Sequence, residues 1–346
     1  MPTTAPALPR APGSARRGRG RALALLGALV LVAALLSVAV GTRTIGPGAL
    51  WTALLDAGLG SEDAVVVRQL RVPRTALGLL AGLALGIAGA LLQGHTRNPL
   101  GDPGLLGVTA GASLAVVLAI SVLDVATPAG YVWFSFAGAL AGTVAVYAVG
   151  AAGRDGATPL NLALAGAALS ALLYAAVRAV LVADSQTLAA FRFWVVGGLA
   201  GRGADVAVQV APFIAVGVVL ALANAPALNL LSFGGDVARG LGCRVGAARA
   251  VGLAAVTLLC GAATAACGPI AFVGLVVPHV VRAFTGPDHR WLIPCSGLLG
   301  AALLLTADVL GRVVARPGEL PAGIVLALVG APFFVALVRQ RRTGTL

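Results

Sequence analysis

From Thr75 to Gln93 the chain carries no charged residue at all. An α-helix rises 1.5 Å per residue and needs about 20 apolar residues to cross a hydrocarbon core of about 30 Å, so this run has the length of a membrane span. The stretch His95-Thr96-Arg97-Asn98-Pro99-Leu100-Gly101-Asp102-Pro103-Gly104 then interrupts it, and a second apolar run opens at Leu105. Asn98-Pro99 and Asp102-Pro103-Gly104 carry turn chemistry and do not continue a helix. The unit is a span, a tight hinge and a return span. Inside a bilayer every backbone polar group must be satisfied internally, which leaves only helices and closed barrels. Unbroken apolar runs, rather than ten-residue alternation, select helices.

The same unit recurs along the chain. Apolar runs fall at about 22–41, 75–94, 105–123, 131–150, 160–182, 207–226, 247–267, 270–284, 291–310 and 322–338, which predicts ten spans. Only 10% of the 346 residues are charged, against about 25% in soluble domains, so the fold class is all-α, polytopic and membrane-embedded. The 47 glycines suit close helix packing. Residues 1–21, rich in Pro, Ala and Arg, read as a disordered basic tail, and 22–346 as one transmembrane domain of ten helices. The first run is 20 residues, longer than the 7–15 of a signal-peptide core, so it reads as a retained span. Residues 42–66, with Ile45, Trp51, Leu54 and Leu55, read as an interfacial segment. The turn at Cys267-Gly268-Pro269 is so short that it must lie at the membrane surface or within the protein.

All 24 basic residues are arginine and the net charge is +12. The arginines sit between spans, so they speak of topology, not of nucleic acid. Fifteen lie on the amino-terminal side, eight on the other, and Arg178 lies within the fifth span. The positive-inside rule then places both termini in the cytoplasm. Against that rule, Arg68, Arg71 and Arg74 cluster at the outer start of the second span, and Arg312 and Arg316 at the outer end of the ninth. One reading is snorkelling or local pairing, since Asp308 and Arg312 have i,i+4 spacing. The other is a docking surface for an acidic partner, because guanidinium binds carboxylate bidentately.

On the cytoplasmic side the segment 229–247 is much longer than its fellows. Within it Asp236 to Leu241 can form a short helix between Gly234-Gly235 and Gly242, a place for contact with a cytoplasmic protein or simply a solvated connector. With no lysine there is no Walker A site, and neither H-E-x-x-H nor G-x-S-x-G occurs. Cys243, Cys260, Cys267 and Cys295 show no C-x-x-C spacing and read as buried free thiols. His95, His279 and His289 are scattered and read as loop or interfacial residues. The spans are nearly free of acids, which argues against a proton relay. No catalytic residue, resident metal or cofactor is expected, and any pumping energy must come from another subunit.

Several stretches together resemble the FecCD-type permeases of iron-siderophore, haem and vitamin B12 ABC importers. They are Arg71-Val72-Pro73-Arg74, Gln93 with Asn98-Pro99-Leu100, Pro103-Gly104-Leu105-Leu106-Gly107 and Gly268-Pro269-Ile270. Phe272 to His279 with Arg282, Asp288-His289-Arg290, Asp308 with Arg312, Glu319-Leu320-Pro321 and Gly330-Ala331-Pro332-Phe333 follow in order. The resemblance implies a ten-helix fold like the vitamin B12 permease, dimerising with a second permease subunit, identical or not. It implies a cytoplasmic ABC ATPase and an extracytoplasmic substrate-binding lipoprotein. It assigns docking of that protein to Arg71, Arg74 and Arg312. ATPase coupling falls to Gly234, Gly235, Asp236, Ala238, Arg239, Leu241 and Gly242, and an inner gate to Thr158, Pro159 and Leu160. The cargo implied is a metal chelate, a ferric siderophore first, with cobalamin or haem as alternatives. A stand-alone secondary transporter and an intramembrane enzyme are the rival classes. The resemblance also places Glu319 near the start of the tenth helix and leads us to expect a kink or turn at Pro278.

Overall fold

The computed structural model describes residues 12–55, 61–125, 127–152 and 158–343. The helices are α1 (Pro12–Ala39), α2 (Pro47–Leu55), α3 (Glu62–Val65), α4 (Val72–Thr96), α5 (Val108–Leu123), α6 (Pro128–Ala151) and α7 (Pro159–Ala183). They continue with α8 (Ser185–Val195), α9 (Ala204–Leu231), α10 (Gly235–Gly240), α11 (Val245–Cys267), α12 (Val273–Thr285), α13 (His289–Val314) and α14 (Ala322–Thr343). Among the described residues seven helical stretches are long and apolar enough to cross a membrane, and α5, α12 and α14 supply three shorter apolar helices. The ten spans expected from the sequence are therefore each a helix. The bundle is built around α4, α11 and α13, whose apolar windows are 78%, 72% and 67% buried, whereas α1 and α7 lie at the margin with 17% each.

Three boundaries differ from the sequence expectation. First, α1 reaches back to Pro12, ten residues before the apolar run begins. Proline at the first helical position lacks only an N–H that has no partner there anyway. Residues 1–11 of the expected tail lie outside the described residues.

Second, the second span does not begin near Thr75. Glu62 to Thr96 form one continuous helix of 35 residues, about 52 Å long at 1.5 Å per residue. Ser61 caps it by accepting the Ala64 N–H, and Glu62 and Asp63 complement the dipole in its first turn. Pro73, two residues before the expected start, lies inside this continuous helix. It offers no N–H to the Gln69 carbonyl, and the helix widens to π geometry over Val66–Arg71, with the Val72 N–H bonded to the Val67 carbonyl.

Third, α12 starts at Val273, later than expected, and runs through Pro278 as a 13-residue helix. The preceding turn lies within the protein. Cys267 and Gly268 are buried, and the Cys267 carbonyl accepts the Gly198 N–H at 2.7 Å.

The hinge after α4 forms as its residues dictate. Arg97 takes the left-handed conformation at φ 50°, the Asn98 Oδ1 accepts the Leu100 N–H at 2.9 Å, and the Asp102 Oδ1 accepts the Gly104 N–H at 2.8 Å.

What holds α4 against α13 is a ridge of glycines. Lipid tails are as apolar as leucine, so helices in a bilayer gain most from backbone approach and van der Waals contact. Gly78, Gly82 and Gly86 recur every fourth residue on one face of α4. A methyl at Gly82 would stand 2.5 Å from the Gly300 carbonyl oxygen, and one at Gly86 only 2.1 Å from that of Ser296. Gly86→Val must therefore push two backbones apart. We expect it to lower stability by about 1–3 kcal/mol or more, read as a fall in detergent melting temperature. An unchanged melting temperature would mean that the two helices are not in backbone contact.

Candidate functional sites at the two ends of the bundle

At one end of the bundle α1 finishes against α4 and α13, and there the structure gathers the arginines singled out by sequence. Asp308, fully buried on α13, is the centre of the cluster. It accepts Nε and Nη2 of Arg74 at 2.9 and 2.8 Å, a bidentate pair, and lies 3.0 Å from Nη2 of Arg312. The remaining nitrogen of Arg74, Nη1, reaches Glu319 at 2.7 Å, just before α14. Glu319 is therefore a partner of Arg74 from outside the helix, and α14 itself begins after Pro321.

Arg71 and Arg312 spend their other donors on the carboxyl end of α1. Arg71 donates to the carbonyls of Val38, Ala39 and Arg43. Arg312 donates to those of Ser37 and Val40, and also to the Ser37 hydroxyl, which itself lies 2.7 Å from the Thr75 hydroxyl. Arg316 adds a bond to the Gly41 carbonyl. The last carbonyls of a helix have no intrahelical donor, and they carry the negative end of its dipole. Three guanidiniums satisfy them here. Arg71 and Arg312 are buried, and the Arg74 side chain keeps 12% of its exposure.

The i,i+4 reading of Asp308 and Arg312 is thus realised, and the three arginines assigned to docking do meet in one place. The sequence reading missed their partners. Ser37 and Val40 carry no signal that points to Arg312, more than 270 residues away.

At the opposite end lies α10. Gly234 at φ 106° and Gly242 at φ 82° turn the chain into and out of it, as the flanking glycines led us to expect. Ala238 is buried against Leu231, Val245 and Ala248, so α10 is fastened to the last turn of α9 and the first of α11. Asp236 and Arg239 pair on its exposed side. Val237 on α10 and Leu241 at its end are 53% and 60% exposed, and Phe233, just before the Gly234 turn, is 69% exposed.

The remaining sequence candidates lie beside this end or between the two. Thr158 caps α7 by accepting the Asn161 N–H at 3.2 Å, and Leu160 is 68% exposed; residues 153–157 before it lie outside the described residues. Gln93 is buried, donates to the Gly274 and Leu275 carbonyls and accepts from Arg282 at 3.2 Å. The histidines are not loop residues. His95 lies in the last turn of α4, 3.0 Å from the Asn224 amide; His289 opens α13, and His279 meets the Phe333 ring edge-on.

An all-α bundle of long apolar helices, with an arginine cluster at one end and α10 at the other, has the form of a multi-pass membrane protein. The FecCD transport family model matches residues 29–340, and the chain belongs to that family. It is 42% identical over 326 residues to the ferric enterobactin transport system permease protein FepD of Escherichia coli (strain K12), covering 94% of this chain and 97% of that one. It is 38% identical over 330 residues to the iron(3+)-hydroxamate import system permease protein FhuB of Bacillus subtilis (strain 168), covering 95% and 86%. To the cobalamin import system permease protein BtuC of Halobacterium salinarum it is 40% identical over 298 residues, covering 86% and 79%. A solved structure described as an inward-facing conformation of a metal-chelate type ABC transporter superposes with a TM-score of 0.80 at 28% identity, over 93% of this chain and 99% of that one.

Proposed function

We propose that this permease carries a ferric siderophore across the cytoplasmic membrane, as one half of a dimeric ABC importer whose ATPase is a separate subunit. The end-to-end likeness to a ferric enterobactin permease is the observation that carries the choice of cargo. Both termini and α10 face the cytoplasm in this reading, and the arginine cluster faces outward. The arginine excess on the amino-terminal side supports that orientation.

The ATPase seats on α10 and its flanks, Gly234 to Gly242, where Phe233, Val237 and Leu241 offer exposed apolar surface. An extracytoplasmic binding protein docks over Arg71, Arg74 and Arg312. The gathering of Arg71, Arg74 and Arg312 around Asp308, with Arg316 beside them, supports this docking reading. Because α1 carbonyls hold Arg71 and Arg312, carboxylates of that partner must compete with them. Thr158, Pro159 and Leu160, at the start of α7, form the inner gate.

Deleting the gene tests the cargo. We expect loss of radiolabelled iron uptake from a ferric siderophore and unchanged uptake of cobalamin and haem. Intact siderophore uptake with loss of cobalamin uptake would replace this reading by its alternative, which the relative named for cobalamin supports. A point change tests the ATPase contact. Leu241→Asp puts a charge on this exposed apolar surface. Truncating an interface centre costs about 2 kcal/mol or more, so ATPase retention on purification is expected to fall about 30-fold. Wild-type retention would show that α10 is only a connector.

A further inference from the structure

Asn229 stands in the last turn of α9, three residues before the chain leaves for α10. Both polar atoms of its side chain are engaged at the start of α13. Its amide nitrogen donates to the Asp288 carboxylate at 2.7 Å. Its amide oxygen accepts the His289 backbone N–H at 2.9 Å and lies 2.9 Å from Nδ1 of the His289 ring. Asp288 is itself the cap of α13, accepting the Arg290 N–H. Partial burial works against its charge, but the Asn229 amide, the Arg290 N–H and the nearby Arg19 outweigh it and hold Asp288 below the usual carboxylate range. The carboxylate therefore stays ionised, and the amide bond to it is charge-assisted.

The other attachments follow from this one. On the α10 side, Leu231 and Ala238 lock α10 onto the same turn of α9 that bears Asn229. On the far side, His289 is buried with its Nε2 against α4, where a methyl at Gly94 would lie 2.6 Å from that nitrogen. From His289, α13 runs 26 residues to the opposite end of the bundle, about 39 Å at 1.5 Å per residue, and there it carries Asp308 and Arg312. One helix thus joins the two ends, and one asparagine joins that helix to the turn of α9 on which α10 is fastened.

We propose that Asn229 is a positioning residue for coupling. Its amide ties the α10 segment to the cap of α13, so that displacement of α10 is passed to α13 and through it to the arginine cluster. This rests on the reading of α10 as the ATPase contact. A fully bonded side chain bridging two helix ends moves both together, whereas an apolar contact would let them slide.

The test uses the permease reconstituted in proteoliposomes with its ATPase and binding protein, reading chelate transported per ATP hydrolysed. Asn229→Asp sets two carboxylates face to face and removes the donor. Asn229→Asp with Asp288→Asn rebuilds one amide–carboxylate bond with the roles exchanged, while the amide oxygen introduced at position 288 can still cap α13. We expect the ratio to fall about tenfold in the single variant and to return to within about twofold of wild type in the double variant, with ATPase retained in both. A residue that merely stabilised the fold would lower assembly without changing the ratio. Asn229→Leu, which removes the bonds without adding charge, is expected to uncouple as the single variant does. A wild-type ratio in Asn229→Leu, or a double variant as uncoupled as Asn229→Asp, overturns the proposal. Failure of the underlying reading shows separately, as wild-type ATPase retention by Leu241→Asp.

Discussion

Replacing Asp308 by alanine is expected to destabilise the protein by about 3–5 kcal/mol, the usual cost of removing one partner from a buried ion pair. Asp308 is fully buried and serves two guanidiniums, those of Arg74 and Arg312. Without it both charges remain beside each other in a poorly hydrated place, with only Glu319 and the α1 carbonyls to answer them. Asp308→Asn keeps the shape and an acceptor oxygen but not the charge, so it should fall between wild type and alanine. Chemical or thermal unfolding in detergent measures both. If Asp308→Ala unfolds as wild type does, the cluster is not the anchor its geometry describes.

The paired reversal Arg71→Glu with Arg74→Glu is expected to have two effects at once. Capture of an acidic binding protein should weaken more than tenfold, since each juxtaposed like charge costs several kcal/mol and about 1.4 kcal/mol is already a factor of ten. The carboxyl end of α1 should also loosen, because the carbonyls of Val38, Ala39 and Arg43 lose their donor and gain a repelling carboxylate. Hydrogen exchange over residues 38–43 reads the second effect. A Glu→Arg change in the binding protein separates the two. It should restore part of the capture and leave the exchange fast. Wild-type capture by the reversed permease would show that these arginines serve only to hold α1, and that docking lies elsewhere.

Much of this protein is local and so was legible in its sequence. The ten helices follow from run length, because in a bilayer each segment must satisfy its own backbone. The hinge at Asn98 to Gly104 follows from two Asx turns whose donors and acceptors are two residues apart. The Asp308–Arg312 pair follows from one helical turn, and α10 from the glycines on either side of it. Even there, local signals were overruled where tertiary packing was stronger. The uncharged run places the second span at about 75–94, yet the helix begins at Glu62 and passes through Pro73 with π geometry just before it.

What the tertiary structure alone decided is which polar group meets which. Arg312 could be read as an outward charge, and it is a buried donor to carbonyls of the first helix. Asn229 and His289 carry no motif that links them, and they form the joint between the end of α9, which leads into α10, and α13. Gly78, Gly82 and Gly86 mark a close face on α4 without saying which helix comes to meet it. In a lipid environment apolar faces do not choose partners by hydrophobicity, so backbone approach and a few long-range polar bonds make that choice. Their ends lie 60 to 275 residues apart in the chain, where spacing carries no information.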